Sequence, residues 1–281
     1  MKQRETFGHG AIQSYLEYLR EEERSELTIQ KYHRDILRFS RFAGDNPGKS
    51  MLLAWKAHLV QANYAPQTIN SMLAAVNSFF DFLGQGSQRV KPPKCQRTIF
   101  RAEEQELTKA EYLRLLETAR RQGKERLFLI METVCATGIR ISELRYITVQ
   151  AAKTRRAVVE CKGKRRMILI PKKLCAQLLK WAKRRRVTGG AVFQTKGGRP
   201  VDRSNIWREM KRLSGTAGVD PQEIFPHNLR HLFAVVFYTA EKDIAKLADV
   251  LGHANINTTR IYIMETGAEH ERQLSRLGLM L

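Results

Sequence analysis

Helical periodicity in the first ninety residues is the feature that most constrains the fold of this chain. Apolar residues recur at helical spacing between residues 27 and 42, and Gly44 follows as a stop signal. Pro66 opens a second pattern of this kind, and Gly84 ends it. Two shorter apolar patterns lie before and between them. This region is therefore predicted to form a compact bundle of four helices.

The periodicity breaks off after the bundle and then resumes. The break contains glycines, two prolines and several charges, which is typical of a linker. Thr108 followed by Glu111 matches a capping box at the start of a new helix. We predict a helical domain at 1–90, a linker at 91–106 and a second domain at 107–281.

The second domain is predicted to be helical with one small β-hairpin. Short apolar runs with β-branched residues at 157–161 and 167–171 flank the cationic stretch 162–166, which contains Gly163. The fold class is thus mainly α with a small β-hairpin, in a helical domain followed by a mixed α/β domain.

Positive charge is concentrated in the second part of the chain. The formal net charge is +21, with a pI near 10.2. Residues 1–90 contribute only +2 of it, and 14 basic residues with one acidic residue lie between Lys153 and Arg186. Such a field attracts polyanions, and nucleic acid is the first candidate. An anionic membrane surface is the alternative, but no basic amphipathic helix with an aromatic face is present.

Several classes are disfavoured by what the sequence lacks. It has no apolar run of about 20 residues and no signal-peptide core, so we expect a cytoplasmic protein. Its positive charge favours association with the nucleoid. Its four cysteines lack metal-ligand spacing, and we expect reduced thiols and no metal. Neither a carboxylate cluster for magnesium nor a Walker loop for ATP is present.

The segment ATGIRISEL at 136–144 is the first candidate for chemistry. Arg140 stands where a new helix is predicted to begin, beside backbone N–H groups that favour an anion. Glu143 follows one turn later and is placed to form an ion pair with Arg140. A surface ion pair without function is the alternative.

Two later segments supply imidazoles, a guanidinium and a phenol. In 225–231, Pro226 suits a helix start, which places His227 and Arg230 on one face. His253 follows the stop signal Gly252 and is predicted to lie in a turn. Tyr262 comes nine residues later, after Asn257, which is predicted to cap a short helix. Each alone is also compatible with a structural role.

Taken together, these motifs resemble the tyrosine recombinase, or phage integrase, family. The ATGIRISEL box, the HNLRH box at 227–231 and the LGH segment at 251–253 followed by Tyr262 match its signature in order and spacing. The likeness covers 107–281 well, and its compact length is similar to that of Xer-type members. It implies that residues 1–90 are a SAM-like core-binding DNA-binding domain and that 107–281 form the catalytic domain.

The resemblance implies strand cleavage and rejoining through a 3′-phosphotyrosyl link, with neither metal nor cofactor. Tyr262 would attack the phosphate, and a hairpin lysine would protonate the leaving 5′-oxygen. Lys162 is assigned that role, with Lys164 as the alternative. The implied catalytic residues are Arg140, Lys162, His227, Arg230, His253 and the nucleophile Tyr262, with Glu143 and His231 in support.

The resemblance also implies partners. They are double-stranded DNA, contacted by Lys164, Arg165 and Arg166, and three further copies of the chain in a tetramer, with a second recombinase or a DNA-bending protein as an optional addition. The tail after Tyr262 would dock on a neighbour or pack on its own domain. The expected function is integration or excision of a mobile element or Xer-type resolution. A DNA-binding relative without catalysis and a type IB topoisomerase are the alternatives.

Overall fold

The structure, a computed structural model, describes residues 8–44, 47–94, 106–161, 164–195, 197–263 and 275. The chain divides into two compact units, Met1–Arg97 and Thr98–Leu281. Each unit buries its own apolar core. The predicted fold class, mainly α with a small antiparallel hairpin, is confirmed. Within the described ranges, no helix combines the length and the apolar character that spanning a bilayer requires.

In its described residues, the N-terminal unit has four α-helices around an aromatic core. The ring of Tyr15 lies 5.1 Å from that of Phe79, and Phe39 lies 5.3 Å from Trp55. Ser25 starts the second helix by accepting a hydrogen bond from a backbone N–H of its first turn. The helices are α1 (His9–Glu21), α2 (Glu26–Ala43), α3 (Lys49–Gln61) and α4 (Pro66–Phe82).

The chain remains bonded to this unit well past the end of α4. Val90 is buried, and the Asn77 amide binds both its backbone N–H and its carbonyl, at 3.0 and 2.9 Å. Asn70 donates to the Pro93 carbonyl at 3.3 Å. These bonds satisfy an irregular backbone that has no helix or sheet partner. The chain up to Pro93, which includes the start of the predicted linker, is therefore hydrogen-bonded to the N-terminal unit.

The C-terminal unit is built around one central helix, α6. Its residues Leu127, Ile130 and Val134 are buried, and it packs against the helices before it and after it in the unit. The predicted capping box of Thr108 and Glu111 starts α5. The elements are α5 (Lys109–Arg121), α6 (Glu125–Thr137), α7 (Val149–Thr154), β1 (Arg156–Cys161), β2 (Lys164–Leu169), α8 (Lys172–Arg184), α9 (Arg203–Ala217), α10 (Pro226–Glu241), α11 (Ile244–Leu251) and α12 (Ile256–Arg260).

The β-hairpin differs from its prediction in where the second strand begins. Strand β2 begins at Lys164, three residues before the apolar run, and Arg166 pairs with Val159 of β1. The predicted five-residue turn at 162–166 is therefore wrong, because only residues 162 and 163 separate the strands. A strand tolerates charged side chains where they face solvent, or where an inward-facing charge has an ion-pair partner. A search for apolar runs therefore misses the first residues of this strand.

The helix start predicted at Arg140 is confirmed, because Arg140 immediately precedes a 3₁₀ helix, Ile141–Tyr146. The cap predicted at Asn257 is wrong. Asn255, rather than Asn257, caps α12, because its side chain accepts the backbone N–H two residues later. Both segments are short, and the next turn of chain decides their geometry.

Candidate active site

The ends of several elements bring five of the six predicted catalytic residues into one cluster. His227 and Arg230 lie in the first turns of α10, and His253 lies in the turn after α11. Arg140 precedes the 3₁₀ helix after α6, and Tyr262 lies in a 3₁₀ turn, Ile261–Ile263, after α12. The sixth predicted residue, Lys162, lies outside the described residues, as does the predicted docking tail apart from residue 275.

Arg230 is the most buried charged residue of the cluster, with 1% of its surface exposed. Its Nη1 donates to the carbonyl of Gly138 at 2.6 Å, and its Nη2 donates to the carbonyl of Leu251 at 2.8 Å. Among the described residues it has no carboxylate partner, and its Nε makes no hydrogen bond. Burial and then Arg140 lower the pKa of Arg230 to about 10, so the guanidinium keeps its charge at neutral pH. A buried cation without an anion is costly, which favours binding of an anionic ligand.

Gly138 makes the position of Arg230 possible. It ends α6 in the left-handed conformation, with φ at +64°. A Cβ here would lie 2.4 Å from a ring carbon of Phe233 on α10. Only glycine therefore lets α10 approach the end of α6 closely enough for Arg230 to bind the Gly138 carbonyl.

Arg140 and Glu143 form the predicted pair. The Arg140 backbone N–H donates to Glu143 Oε2 at 2.7 Å, and its Nη1 donates to Oε1 at 3.2 Å. The carboxylate is buried, with 6% of the side chain exposed, whereas 44% of the Arg140 side chain is exposed. Glu143 therefore holds the backbone of Arg140 while part of the guanidinium remains open to a ligand.

His253 is held by bonds to both ring nitrogens. Arg230 Nη2 donates to Nε2 at 2.8 Å, so Nδ1 carries the proton and donates to Thr259 Oγ1 at 2.8 Å. Burial and the nearby Arg230, Arg140 and Arg166 lower the pKa of His253 to about 4. The ring is therefore neutral at pH 7.

Tyr262 is buried among three imidazoles. Its ring is nearly parallel to that of His253, 5.7 Å away, and 5.1 Å from that of His231. The hydroxyl lies 3.3 Å from His227 Nε2. Burial, followed by Arg230 and Arg140, lowers the pKa of His227, which favours the neutral ring. A neutral imidazole at this distance is placed to accept the phenolic proton.

The supporting and DNA-binding candidates lie in different surroundings. His231 Nε2 lies 3.2 Å from a carboxylate oxygen of Glu106. Arg165 is 72% exposed and pairs with Glu160 at 2.8 Å, whereas Arg166 points inward and pairs with Glu143. The side chain of Lys164 is outside the described part of the structure.

Two contributors were missed by sequence reasoning. Thr259 is buried and accepts the Nδ1 proton of His253, although its place in the sequence predicts only a residue of a short capped helix. Arg166 is predicted as a DNA contact in the hairpin turn, whereas in the structure its guanidinium pairs with Glu143. A cleft of about 480 Å³ adjoins the cluster and is lined by Arg140, His227 and Arg230 together with aromatic residues. Those aromatic residues, Trp207 and Phe225, stack with their rings 5.7 Å apart.

Comparison with known proteins agrees with this geometry. Residues 105–269 match the phage integrase family, and residues 12–86 match the phage integrase N-terminal SAM-like domain. The chain is 31% identical to the tyrosine recombinase XerA of Thermococcus kodakarensis, over 93% of each protein. It is 30% identical to the tyrosine recombinase XerC of Roseiflexus castenholzii, over 92% of this chain and 89% of that protein.

Solved structures show the same fold at lower identity. A lambda integrase tetramer bound to a Holliday junction is 18% identical and covers 93% of this chain, with 78% of its own chain covered and a TM-score of 0.74. The XerH recombinase bound to palindromic difH after cleavage is 20% identical, covers 89% of this chain with 79% of its own, and has a TM-score of 0.69.

The fold and the cationic cluster around a tyrosine define an enzyme class, the tyrosine recombinases. Within that class, this chain belongs to the phage integrase family, and the sequence resemblance is confirmed. Its similarity to Xer recombinases extends over most of its length.

Proposed function

We propose that this protein is a site-specific DNA recombinase that cleaves and rejoins strands through a 3′-phosphotyrosyl intermediate. One observation carries the proposal. The buried Arg230 guanidinium lacks a carboxylate partner among the described residues. It is hydrogen-bonded to His253, one of the imidazoles around Tyr262, whose hydroxyl lies close to His227. A phosphodiester supplies the missing negative charge and the electrophile for the phenol.

The chemistry follows from the groups around Tyr262. Its phenolic oxygen forms a bond to the scissile phosphorus, and the bond from phosphorus to the 5′-oxygen breaks. A phenol has an ordinary pKa of about 10, so it needs a base, and His227 takes its proton. The phosphodiester energy is kept in the new link, and the reverse attack by a 5′-hydroxyl rejoins a strand.

Arg140 and Arg230 donate to the non-bridging oxygens, and His253 joins them once the bound anion favours a proton on its Nε2. Negative charge grows on these oxygens as phosphorus becomes five-coordinate, and donors fixed in advance stabilise that state by about 3 kcal/mol each. Arg230 is fixed by two carbonyls, and His253 is fixed by Thr259. Lys162 protonates the departing 5′-oxygen, by analogy with the family lysine, and Lys164 is the alternative.

The division of labour between domains is also part of the proposal. Residues 1–90 form the core-binding DNA-binding domain, 91–106 the linker and 107–281 the catalytic domain. Four copies act on two double-stranded sites, with a second recombinase or a bending protein as an optional addition. The lambda integrase tetramer on a Holliday junction and the DNA-bound XerH support this assembly by analogy. Action on the chromosome or on a mobile element places the protein with the cytoplasmic nucleoid.

Recombination is favoured over the two other functions considered. A topoisomerase of similar chemistry relaxes DNA without sequence preference, and an inactive relative binds DNA without forming a link. The relatives reported above are all named recombinases or integrases, which supports strand exchange.

The experiment that tests the proposal is Tyr262→Phe on a nicked suicide substrate made from the native locus. We expect wild-type protein to form a denaturant-resistant adduct, and the variant to bind DNA with similar affinity but form none, because only the nucleophilic oxygen is gone. Tyr238→Phe, on a ring that packs against the same small cluster, is the matched control and retains the adduct. An adduct from Tyr262→Phe would contradict the proposal.

A further inference from the structure

An arginine outside the predicted catalytic set occupies the interior of the site. Arg166 is on β2, and 15% of its side chain is exposed. Its Nη2 donates to Glu143 Oε2 at 2.5 Å, and its Nη1 donates to the Val250 carbonyl at 2.6 Å. One guanidinium thus joins the hairpin, the carboxylate beside Arg140 and the end of α11.

The first of these contacts affects how strongly Glu143 holds the Arg140 guanidinium. Glu143 is a buried carboxylate and needs a cation, since a buried charge without a partner is costly. Two guanidiniums reach it, but the contact from Arg166 is the shorter and the more buried, at 2.5 Å against 3.2 Å from Arg140. With Arg166 as the main counter-ion of Glu143, the more exposed Arg140 guanidinium remains available to bind an anion in the cleft.

The second contact bears on the turn that carries His253. The last carbonyls of a helix have no partners within it, and arginine side chains can satisfy them. At the end of α11 two arginines do so, since Arg166 binds the carbonyl of Val250 and Arg230 that of Leu251. His253 follows two residues later, so Arg166 helps to fix the backbone from which this imidazole projects.

Gly252 leaves the space that Arg166 needs. Its φ is +67°, and a Cβ at this position would lie 2.4 Å from Arg166 Cδ and 2.9 Å from Nε. The glycine before His253 therefore serves two purposes, the left-handed end of α11 and the passage of the Arg166 side chain.

We propose that Arg166 is a positioning residue of strand cleavage, which neutralises Glu143 and secures the end of α11 so that Arg140 and His253 face the scissile phosphate. This inference rests on the proposed recombinase function. It predicts that without Arg166 the Glu143 carboxylate pulls the Arg140 guanidinium away from the phosphate, because among the described residues Arg140 is then its remaining ion-pair partner.

The test measures single-turnover adduct formation on the suicide substrate over a range of DNA concentrations. We expect Arg166→Met to lower the rate at saturating DNA by at least about tenfold, the effect of about 1.4 kcal/mol of lost transition-state stabilisation. The DNA concentration for half-saturation should change less than threefold. Arg114→Met is the matched control, because Arg114 likewise bonds a carboxylate, that of Glu111, and the carbonyl of Gly218 at the end of a helix. This control variant should cleave like wild type.

A second variant separates this role from simple support of the fold. Adding Glu143→Gln to Arg166→Met removes the charge that Arg166 neutralises, so we expect the double variant to cleave faster than Arg166→Met alone. A double variant no faster than the single one, or wild-type rates in Arg166→Met, would overturn the proposal.

If Arg166→Met unfolds below the assay temperature, Arg166→Lys carries the test, with Arg114→Lys as its control. Lysine keeps the charge but not the two-branched donor, so slower cleavage than in the control at unchanged half-saturation supports the proposal, and an equal rate overturns it. Failure of the wild-type protein to form any adduct would instead contradict the proposed function, before Arg166 is tested.

Discussion

Burial sets the protonation of individual side chains in this site. Arg230 and His253 are bonded to each other, and the cation beside the imidazole opposes a second positive charge on it. The pair therefore consists of one permanent cation and one neutral ring. A phosphate bound beside this pair adds negative charge, which favours a proton on His253 Nε2 and lets both side chains donate to the anion.

His253 should make stability depend on pH. Burial and the neighbouring arginines lower its pKa from 6.5 to about 4 in the folded protein, whereas unfolding returns it towards 6.5. Between these values the unfolded chain binds the extra proton, so the free energy of unfolding declines as pH falls from about 6.5 to about 4. We expect His253→Gln to decline less over this window in urea unfolding experiments. An identical decline in both proteins would show that His253 does not titrate in this way.

The assignment of the lysine is a prediction at the same scale. Lys162→Ala should lose cleavage of the suicide substrate because the leaving 5′-oxygen then lacks its proton donor. Lys164→Ala should retain much of it. A substrate with a 5′-bridging sulfur, whose thiolate leaves without a proton, should restore cleavage to Lys162→Ala. The reverse pattern between the two variants would assign the role to Lys164.

At the scale of elements, the ends of helices rather than their middles build the site. The C-terminal ends of α6 and α11 supply carbonyls to Arg230, and the first turns of α10 supply His227 and Arg230 itself. Their relative position depends on the close approach of α6 and α10 at Gly138.

Gly138→Ala tests that approach. The left-handed conformation alone costs an L-residue about 1–2 kcal/mol, and here the new methyl also meets Phe233. Gly218→Ala is the matched control, since Gly218 ends α9 at a φ of +61° with nothing near its Cβ position. We expect Gly138→Ala to lower the free energy of unfolding more than the control does, and to slow cleavage. Equal losses in the two variants would show that Phe233 moves aside freely.

At the scale of the whole molecule, charge and core are distributed differently. Both units bury apolar cores of their own, but nearly all of the net charge of +21 falls after residue 90. Contacts to phosphate position a protein on DNA without reading its sequence. The basic part of the chain therefore accounts for the strength of binding more than for the choice of site.

This distribution predicts a steep dependence of DNA affinity on salt. Each neutralised phosphate contributes about 0.9 to the slope of log affinity against log salt. Arg165 pairs with Glu160 only at the surface, where such pairs are weak, so it is available to a phosphate. We expect Arg165→Gln to reduce the slope by about 0.9 in fluorescence titrations at several KCl concentrations. A slope that stays at the wild-type value would remove Arg165 from the phosphate contacts.

The sequence alone determined the features that depend on neighbouring residues. The start of α4 at Pro66, the capping box at Thr108 and the end of α11 at Gly252 all follow from short-range rules. The motifs also indicated the residues that the cluster contains, with the exception of Thr259 and the inward role of Arg166.

Only the tertiary structure decided which groups meet and which are buried. Arg165 and Arg166 are adjacent and of one type, yet the pleat of β2 sends one to solvent and the other to a carboxylate 23 residues away in sequence. Arg230 finds its carbonyl 92 residues earlier, at the end of another helix. Such pairings depend on how whole elements pack, because the energy of a charge depends on its burial and its neighbours, which local sequence does not specify.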